Sequence, residues 1–340
     1  MTGFGALVGG GLAWCEGGDV VDLAGLGGEL AQPTLNPLMR AGPAAWSDAI
    51  AAARSHDGPR IPLVDARLRL PFEVADYVDF YSSLEHATNM GRLFRPDADP
   101  LTPNWRWLPI GYHGRAGTVV VSGTDVVRPR GILGPGDYGP ARRLDIELEL
   151  GFVVGVPADR PVPTSAFAEH VFGVVLVNDW SARDIQAFEY VPLGPFLGKS
   201  FLTSVSAWVT PLSLLDGRRV EGPPQEPPPL PHLAGGRHWA LDLELGIELN
   251  GEPLSHGNSR TLYWTMPQQL AHATSNGATL RTGDLMATGT ISGSEPGSEG
   301  SLIERFHNTR FLADGDEVVL RAAGGEVELG AVRGRIIPAD

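Results

Sequence analysis

Glycine and proline punctuate this chain so densely, 44 and 29 times in 340 residues, that long regular elements have little room. Glycine opens backbone conformations that tight turns need, and proline removes an amide donor from helix or sheet. Together they favour many short strands joined by turns. The apolar pattern agrees. Short strands are read at Asp19 to Leu23, Thr118 to Gly123, Glu147 to Val156 and Phe172 to Val177. Two helices stand out: Pro43 to Ala52, with Trp46 and Ile50 on one face, and Thr261 to Ser275, ended by Asn276-Gly277. The expected fold class is mixed and β-dominated with a few helices. A glycine-rich module over residues 1–70 precedes a larger unit over 71–340, and the proline-rich stretch 222–235 reads as a surface loop.

Net charge is −14, which argues against nucleic acid or an anionic membrane as partner, because both reward basic surface. No apolar run approaches the roughly 20 residues of a membrane span. Cysteine occurs once, as Cys15, so an intramolecular disulfide and a Cys-rich metal site are both excluded. Thr2 to Cys15 is uncharged and the first basic residue is Arg40, unlike the basic start of a secretion signal. The expected location is cytoplasmic.

Candidate chemistry begins with Leu144-Asp145-Ile146-Glu147-Leu148-Glu149-Leu150, which alternates strictly. On one strand the three acids would share a face. A solvated acidic face is the plain reading, and Leu241 to Leu249 is an internal control: it alternates alike but runs into Asn250-Gly251, a hairpin signal. The first copy instead continues into Gly151-Phe152-Val153-Val154-Gly155-Val156, apolar on both faces and therefore buried. Acids at the mouth of a buried strand need a compensating charge. Asp179, after the apolar run Phe172 to Val177, and Asp79 bring the set to four carboxylates without cysteine. Such a set suits a hard divalent cation, Mg²⁺, Ca²⁺ or Mn²⁺, rather than zinc. His86 lies among Tyr81, Asn89 and Arg95 and is either a general base or a hydrogen-bonded structural histidine. Glu304 follows the Thr288 to Ser294 loop, which lacks a P-loop's ending, and could orient a histidine.

Of the 26 basic side chains 25 are arginine, and the lone lysine is Lys199, inside the otherwise uncharged run Tyr190 to Phe201. An ammonium is a compact point charge where a guanidinium is a planar fork, so Lys199 is either a survivor of codon usage or a group that arginine cannot replace.

Long strings rich in rare residues then identify the chain by resemblance. Asp79-Phe80-Tyr81-Ser82-Ser83, His86-Ala87-Thr88-Asn89, Leu108 to Arg115, Val121 to Thr124, Asn178 to Gln186, Tyr190 to Phe201 and Gly289 to Gly293 resemble the fumarylacetoacetate hydrolase family over roughly residues 70–340, and much less over the first 70. The resemblance implies a small SH3-like N-terminal β-barrel domain and a larger β-roll catalytic domain, usually paired as a homodimer. It implies hydrolysis of a carbon–carbon bond in 4-fumarylacetoacetate, a dicarboxylate β-diketone, to fumarate and acetoacetate, the last step of tyrosine and phenylalanine catabolism. A divalent metal ion would be held by Asp79, Glu147, Glu149 and Asp179, with a second ion near Asp179, Lys199 and Thr203. His86 would be the base, held by Glu304, with Lys199, Arg95 and Gln186 also in catalysis. Tyr81, Arg95, Tyr112, Gln186, Tyr190 and Thr290 would contact substrate. Leu202, where glycine is usual in the family, departs from the pattern next to the second ion position. Two rival readings are a related hydrolase or decarboxylase for an acylpyruvate or oxaloacetate-like acid, and a non-catalytic metal-binding protein on the same fold.

Overall fold

The computed structural model describes residues 1–236 and 238–340. Its centre is a sheet with the strand order Gly111–His113, Tyr77–Phe80, Leu285–Ala287, Leu148–Val154, Val171–Asp179, Thr203–Val205 and Val119–Val121, and Thr210–Pro211 also pairs with Val171–Asp179. Every residue of Leu148–Val154 and Val171–Asp179 is buried, because both faces of these strands are covered. Leu148, Leu150, Phe152, Leu176 and Val174 point into one apolar cluster; Val153, Val175, Val177, Val205 and Leu285 point into another. That split is the period-two alternation of a strand expressed in packing.

The first cluster is closed by a second, five-stranded sheet built on Glu244–Leu249, Glu252–Asn258, Glu317–Gly324, Val327–Ile337 and Val126–Val127. The other face is covered from the N-terminal seventy residues. There a five-stranded sheet, Thr2–Leu7 with Leu12–Glu16, Asp19–Asp22, Arg60–Pro62 and Leu68–Arg69, and the helix Pro43–Ser55 contribute Phe4, Trp14, Trp46 and Ile50. Phe4 pairs its backbone with Val209 in both directions, at 3.0 and 2.8 Å, and its ring lies 4.7 Å from that of Trp14. The β-dominated class with few helices is therefore right. Among the described residues no helix is long and apolar enough to cross a membrane.

Two expectations are corrected. The helix expected over Thr261 to Ser275 begins only at Met266 and ends at Thr274; Ser259–Thr261 forms a separate 3₁₀ turn. The cause is local. Thr265 and Gln268 form a reciprocal capping box, and Pro267 sits in the first turn, where its missing amide costs nothing. The alternating acidic segment is also not one strand: Leu144–Asp145 pairs with Ser181–Ala182, and a fresh strand starts at Leu148. Ile146 and Glu147 form the step between them. The control hairpin is as expected, with Asn250 and Gly251 both at positive φ, 55° and 81°.

Candidate active site

The central sheet places the acids by register. Asp79 pairs with Ala287 and Ala287 with Gly151, so these three side-chain positions share a face with Glu149, two residues back from Gly151. The neighbouring strand runs antiparallel, with Leu148 opposite Asn178, so Asp179 finishes that strand beside Glu147 and its amide donates to the Glu147 carbonyl at 3.2 Å. Four acids from three separate stretches of sequence thus reach the same end of the same face. One oxygen from each of Asp79, Glu147, Glu149 and Asp179 lies within 4.8 Å of all the others, and all four residues are buried.

Lys199, from the short helix Leu197–Ser200, reaches into this cluster and donates to Glu147 Oε2 and, at 2.8 Å, to Asp179 Oδ2. Burial alone would strip its proton, but Asp179 and Glu147 outweigh burial and raise its affinity for the proton above the ordinary value. Glu147 is correspondingly held low. Burial opposes its charge, yet Lys199 and Arg183 overrule burial and bring its pKa to about 2. Asp79 and Glu149 fare differently. Burial first, then the charge of Asp179 beside Asp79 and of Asp79 beside Glu149, pushes both carboxyls well above the usual range.

Asp79 Oδ1 and Glu149 Oε1 are buried with no hydrogen-bond partner among the described residues, although the second oxygens of both residues are bonded, to Tyr112 Oη at 3.0 Å and to the Gly289 amide at 3.0 Å. Buried carboxylate oxygens without donors are costly. An all-oxygen set with two unpartnered carboxyl oxygens fits a hard divalent cation. Gly289 is required here: at φ 79° it passes so close to Phe80 that a Cβ would lie 2.1 Å from the Phe80 carbonyl oxygen. That approach aims its amide at Glu149.

The cluster opens into a cavity of about 470 Å³, lined by Asp79, Glu147 and Lys199 at its floor and by His86, Tyr81, Tyr112, Gln186 and Thr290 on its walls. Arg95, tied to the Pro100 carbonyl at 2.7 Å, and half-exposed Tyr190 stand at the rim. His86 comes from the helix Leu84–Phe94, capped by Ser83. Its Nδ1 lies 2.6 Å from Glu304 Oε2, and Glu304 also accepts from Asn89 (3.0 Å), Ser292 (3.0 Å) and Ser301 (2.6 Å). Burial disfavours the Glu304 charge, but His86 and these donors more than offset it and hold the carboxyl below its ordinary value. A charged acceptor at Nδ1 fixes the proton there and leaves Nε2 free.

Every expected substrate contact lines the cavity. Glu149, Asp179, Glu304 and Thr203 stand behind that wall, with Thr203 Oγ1 donating to Asp179 Oδ1 at 2.9 Å. Leu202 turns away and packs against the core. Arg183 was passed over by the sequence reading. It is buried, lines the cavity, bonds Asp145 through Nε and Glu147 through Nη1, both at 2.8 Å, and leaves Nη2 without a partner among the described residues. Two signals pointed to it: Asp145 needed a counter-charge, and Arg183 follows Ser181-Ala182 at the end of a buried strand.

In the metal-free protein, the raised folded-state pKa values of Asp79 and Glu149 carry a definite sign. The unfolded chain gives up these protons first, above about pH 4, so their contribution to stability is intact below that pH and is lost as pH rises toward the folded-state values. Glu149→Gln keeps the shape and removes one titrating charge. Urea unfolding of EDTA-treated protein from pH 5 to 8 should show a smaller fall in stability for Glu149→Gln than for the wild type. Equal slopes would remove Glu149 from the buried cluster.

Comparison with known proteins agrees with this architecture. Residues 76–337 match the family described as fumarylacetoacetate (FAA) hydrolase, C-terminal. Fumarylacetoacetase of Homo sapiens is 45% identical, covering 91% of this chain and 84% of the relative; that of Oryza sativa subsp. japonica is 43% identical, covering 91% and 82%. Two solved structures share the fold. Fumarylacetoacetate hydrolase from Exiguobacterium antarcticum has a TM-score of 0.66 at 18% identity, covering 99% of each chain. Maleylpyruvate hydrolase from Sphingobium has 0.65 at 20%, covering 99% of this chain and all of that one. Sequence identity over nearly the whole chain, the matched family and the shared fold lead to one conclusion: the chain belongs to the fumarylacetoacetate hydrolase family.

Proposed function

We propose that the protein hydrolyses the carbon–carbon bond of 4-fumarylacetoacetate, releasing fumarate and acetoacetate. One observation carries the reading. His86 and two members of the hard-cation carboxylate set, Asp79 and Glu147, line the same 470 Å³ cavity, which is the size of a small-molecule site, and Glu304, Glu149 and Asp179 back them from behind its wall. A non-catalytic metal carrier has no use for a buried, carboxylate-tethered histidine beside its ion site.

Asp79, Glu147, Glu149 and Asp179 would hold the divalent ion, Mg²⁺, Ca²⁺ or Mn²⁺. When bound it supplies Lewis-acid stabilisation of the developing enolate charge. The residues do the rest. His86 Nε2 accepts the proton of the attacking water, while Nδ1–H stays on Glu304, which stabilises the imidazolium that results. Water adds to the ketone carbonyl, and the tetrahedral oxyanion is met by Lys199, Gln186 and the unpartnered Nη2 of Arg183. Collapse expels acetoacetate as its enolate, which takes up a proton. Arg95, Tyr190, Tyr81, Tyr112 and Thr290 surround the rest of the substrate, with Arg95 placed at the rim for a terminal carboxylate. Lys199 acts as an ammonium beside the ion, and with Thr203 it braces Asp179. Protonated, Lys199 has no lone pair for a second ion.

The working form is proposed to be a cytoplasmic homodimer. Val191, Leu193 and Phe196, respectively 67%, 97% and 60% exposed, make an apolar lip beside the cavity that a second copy would cover. A single-chain mass in sedimentation would remove the dimer.

Loss of fumarylacetoacetate absorbance in the presence of enzyme, abolished by EDTA and absent with oxaloacetate, tests the reaction itself. His86→Ala should lower turnover about 10²–10⁴-fold with divalent-ion affinity retained, and Glu304→Gln should lower it less. Lys199→Arg should fail nearly as badly as Lys199→Met, by about 10²–10³-fold, because a guanidinium does not fit the slot between Glu147 and Asp179. Near-normal rates for His86→Ala or Lys199→Arg, at unchanged melting temperature, would contradict these roles.

A further inference from the structure

Asp145 is fully buried, yet it is neither a member of the carboxylate cluster nor a wall of the cavity. Three of its four hydrogen bonds reach two other parts of the site. Oδ1 accepts from the amides of Ile146 (2.8 Å) and Leu302 (2.8 Å); Oδ2 accepts from the amide of Ile303 (3.2 Å) and from Arg183 Nε (2.8 Å). Leu302 and Ile303 open the short helix Leu302–Arg305, and the next residue is Glu304. The residue before that helix, Ser301, does not cap it; its hydroxyl is spent on the Glu304 carboxylate. The two amides that Ser301 leaves free are taken by a carboxylate from a strand more than 150 residues earlier.

The same carboxylate group fixes the guanidinium of Arg183. From Arg183, Nη1 continues to Glu147 at 2.8 Å and to Gln186 Oε1 at 3.3 Å. One side chain is therefore the junction of two chains of contact: Asp145–Leu302/Ile303–Glu304–His86 on one side, and Asp145–Arg183–Glu147/Gln186 on the other. The break of the acidic segment at Ile146 makes the junction possible, because it seats Asp145 against Ser181 while Glu147 turns to the cavity.

We propose that Asp145 is a positioning residue that locks the His86–Glu304 base and the Arg183–Gln186 donors into one geometry, so that water activation and oxyanion binding are held in register. A buried cap for a four-residue helix would need only the amides. The additional bond to Arg183 couples the cap to the opposite wall of the reaction site. The proposal rests on the hydrolytic reading above, and its test separates the two.

Asp145→Asn keeps the shape but turns an amide N–H either toward the amides of Ile146 and Leu302 or toward the Ile303 amide and Arg183. Replacing a residue that orients catalytic groups typically costs about 10–100-fold in activity, and the loss should fall on kcat more than on KM. In a double-mutant cycle on kcat, Asp145→Asn with Glu304→Gln should lose several-fold less than the product of the separate losses, since both act on His86. A kcat within about twofold of wild type, or losses that multiply in full, overturns the proposal. If Asp145→Asn does not fold, Arg183→Lys, which keeps the charge and leaves Asp145 in place, enters the same cycle with Glu304→Gln. Coupling supports the junction, and full multiplication overturns it. If the wild-type protein leaves fumarylacetoacetate untouched, the hydrolytic reading falls, and the junction is read by amide exchange: Arg183→Lys should speed exchange at Leu302 and Ile303 at least about tenfold, and unchanged exchange overturns it.

Discussion

Charge balance at one end of the central sheet is the constraint on which the site depends. Asp79, Glu147, Glu149 and Asp179 are all buried and face one another, while Lys199 is the ammonium among them and Arg183 is shared with a fifth acid, Asp145. Isolated buried charge is too costly to persist, and pairs of like charge compound the cost. The chain answers unevenly. Glu147, bonded by both cations, is held well below the usual carboxylate range; Asp79 and Glu149 each keep an oxygen that no donor among the described residues reaches. Oxygen ligation of a divalent cation would close that gap.

The rest of the fold can be read as support for this cluster. The all-apolar strands Leu148–Val154 and Val171–Asp179 are covered on both faces, one by the second sheet and the other by the N-terminal sheet and helix. Rigid, dry walls keep water from relaxing the carboxylates apart, which strengthens every interaction inside. Register then does the placing. A one-residue slip of Val171–Asp179 would turn Asp179 to the opposite face and dismantle the cluster.

Much of this was legible in the sequence because it depends on local pattern. A polar residue at the end of an apolar run marks a strand end, and that logic reached Asp179, Glu149 and Glu147; the control hairpin at Asn250-Gly251 separated a solvated acidic face from a buried one. What was not legible depends on partners distant in the chain. The break at Ile146 arises because Asp145 is claimed by Ser181, Arg183 and the Leu302 amide, and no periodicity encodes that. Arg183 carries the same lesson, since its place is set by acids 38 and 36 residues earlier. The late helix start at Met266 is different, because Thr265, Pro267 and Gln268 state it openly in the local sequence.

Whether the four acids form one divalent-ion site is read most directly by calorimetric titration of EDTA-treated protein with Mn²⁺ in buffers of different ionisation heat. Saturation at one ion per chain is expected, with proton release on binding because burial and like charge raise the proton affinity of Asp79 and Glu149, and with loss of both in Glu149→Gln. Absence of saturable binding, or binding that Glu149→Gln leaves unchanged, would contradict such a site.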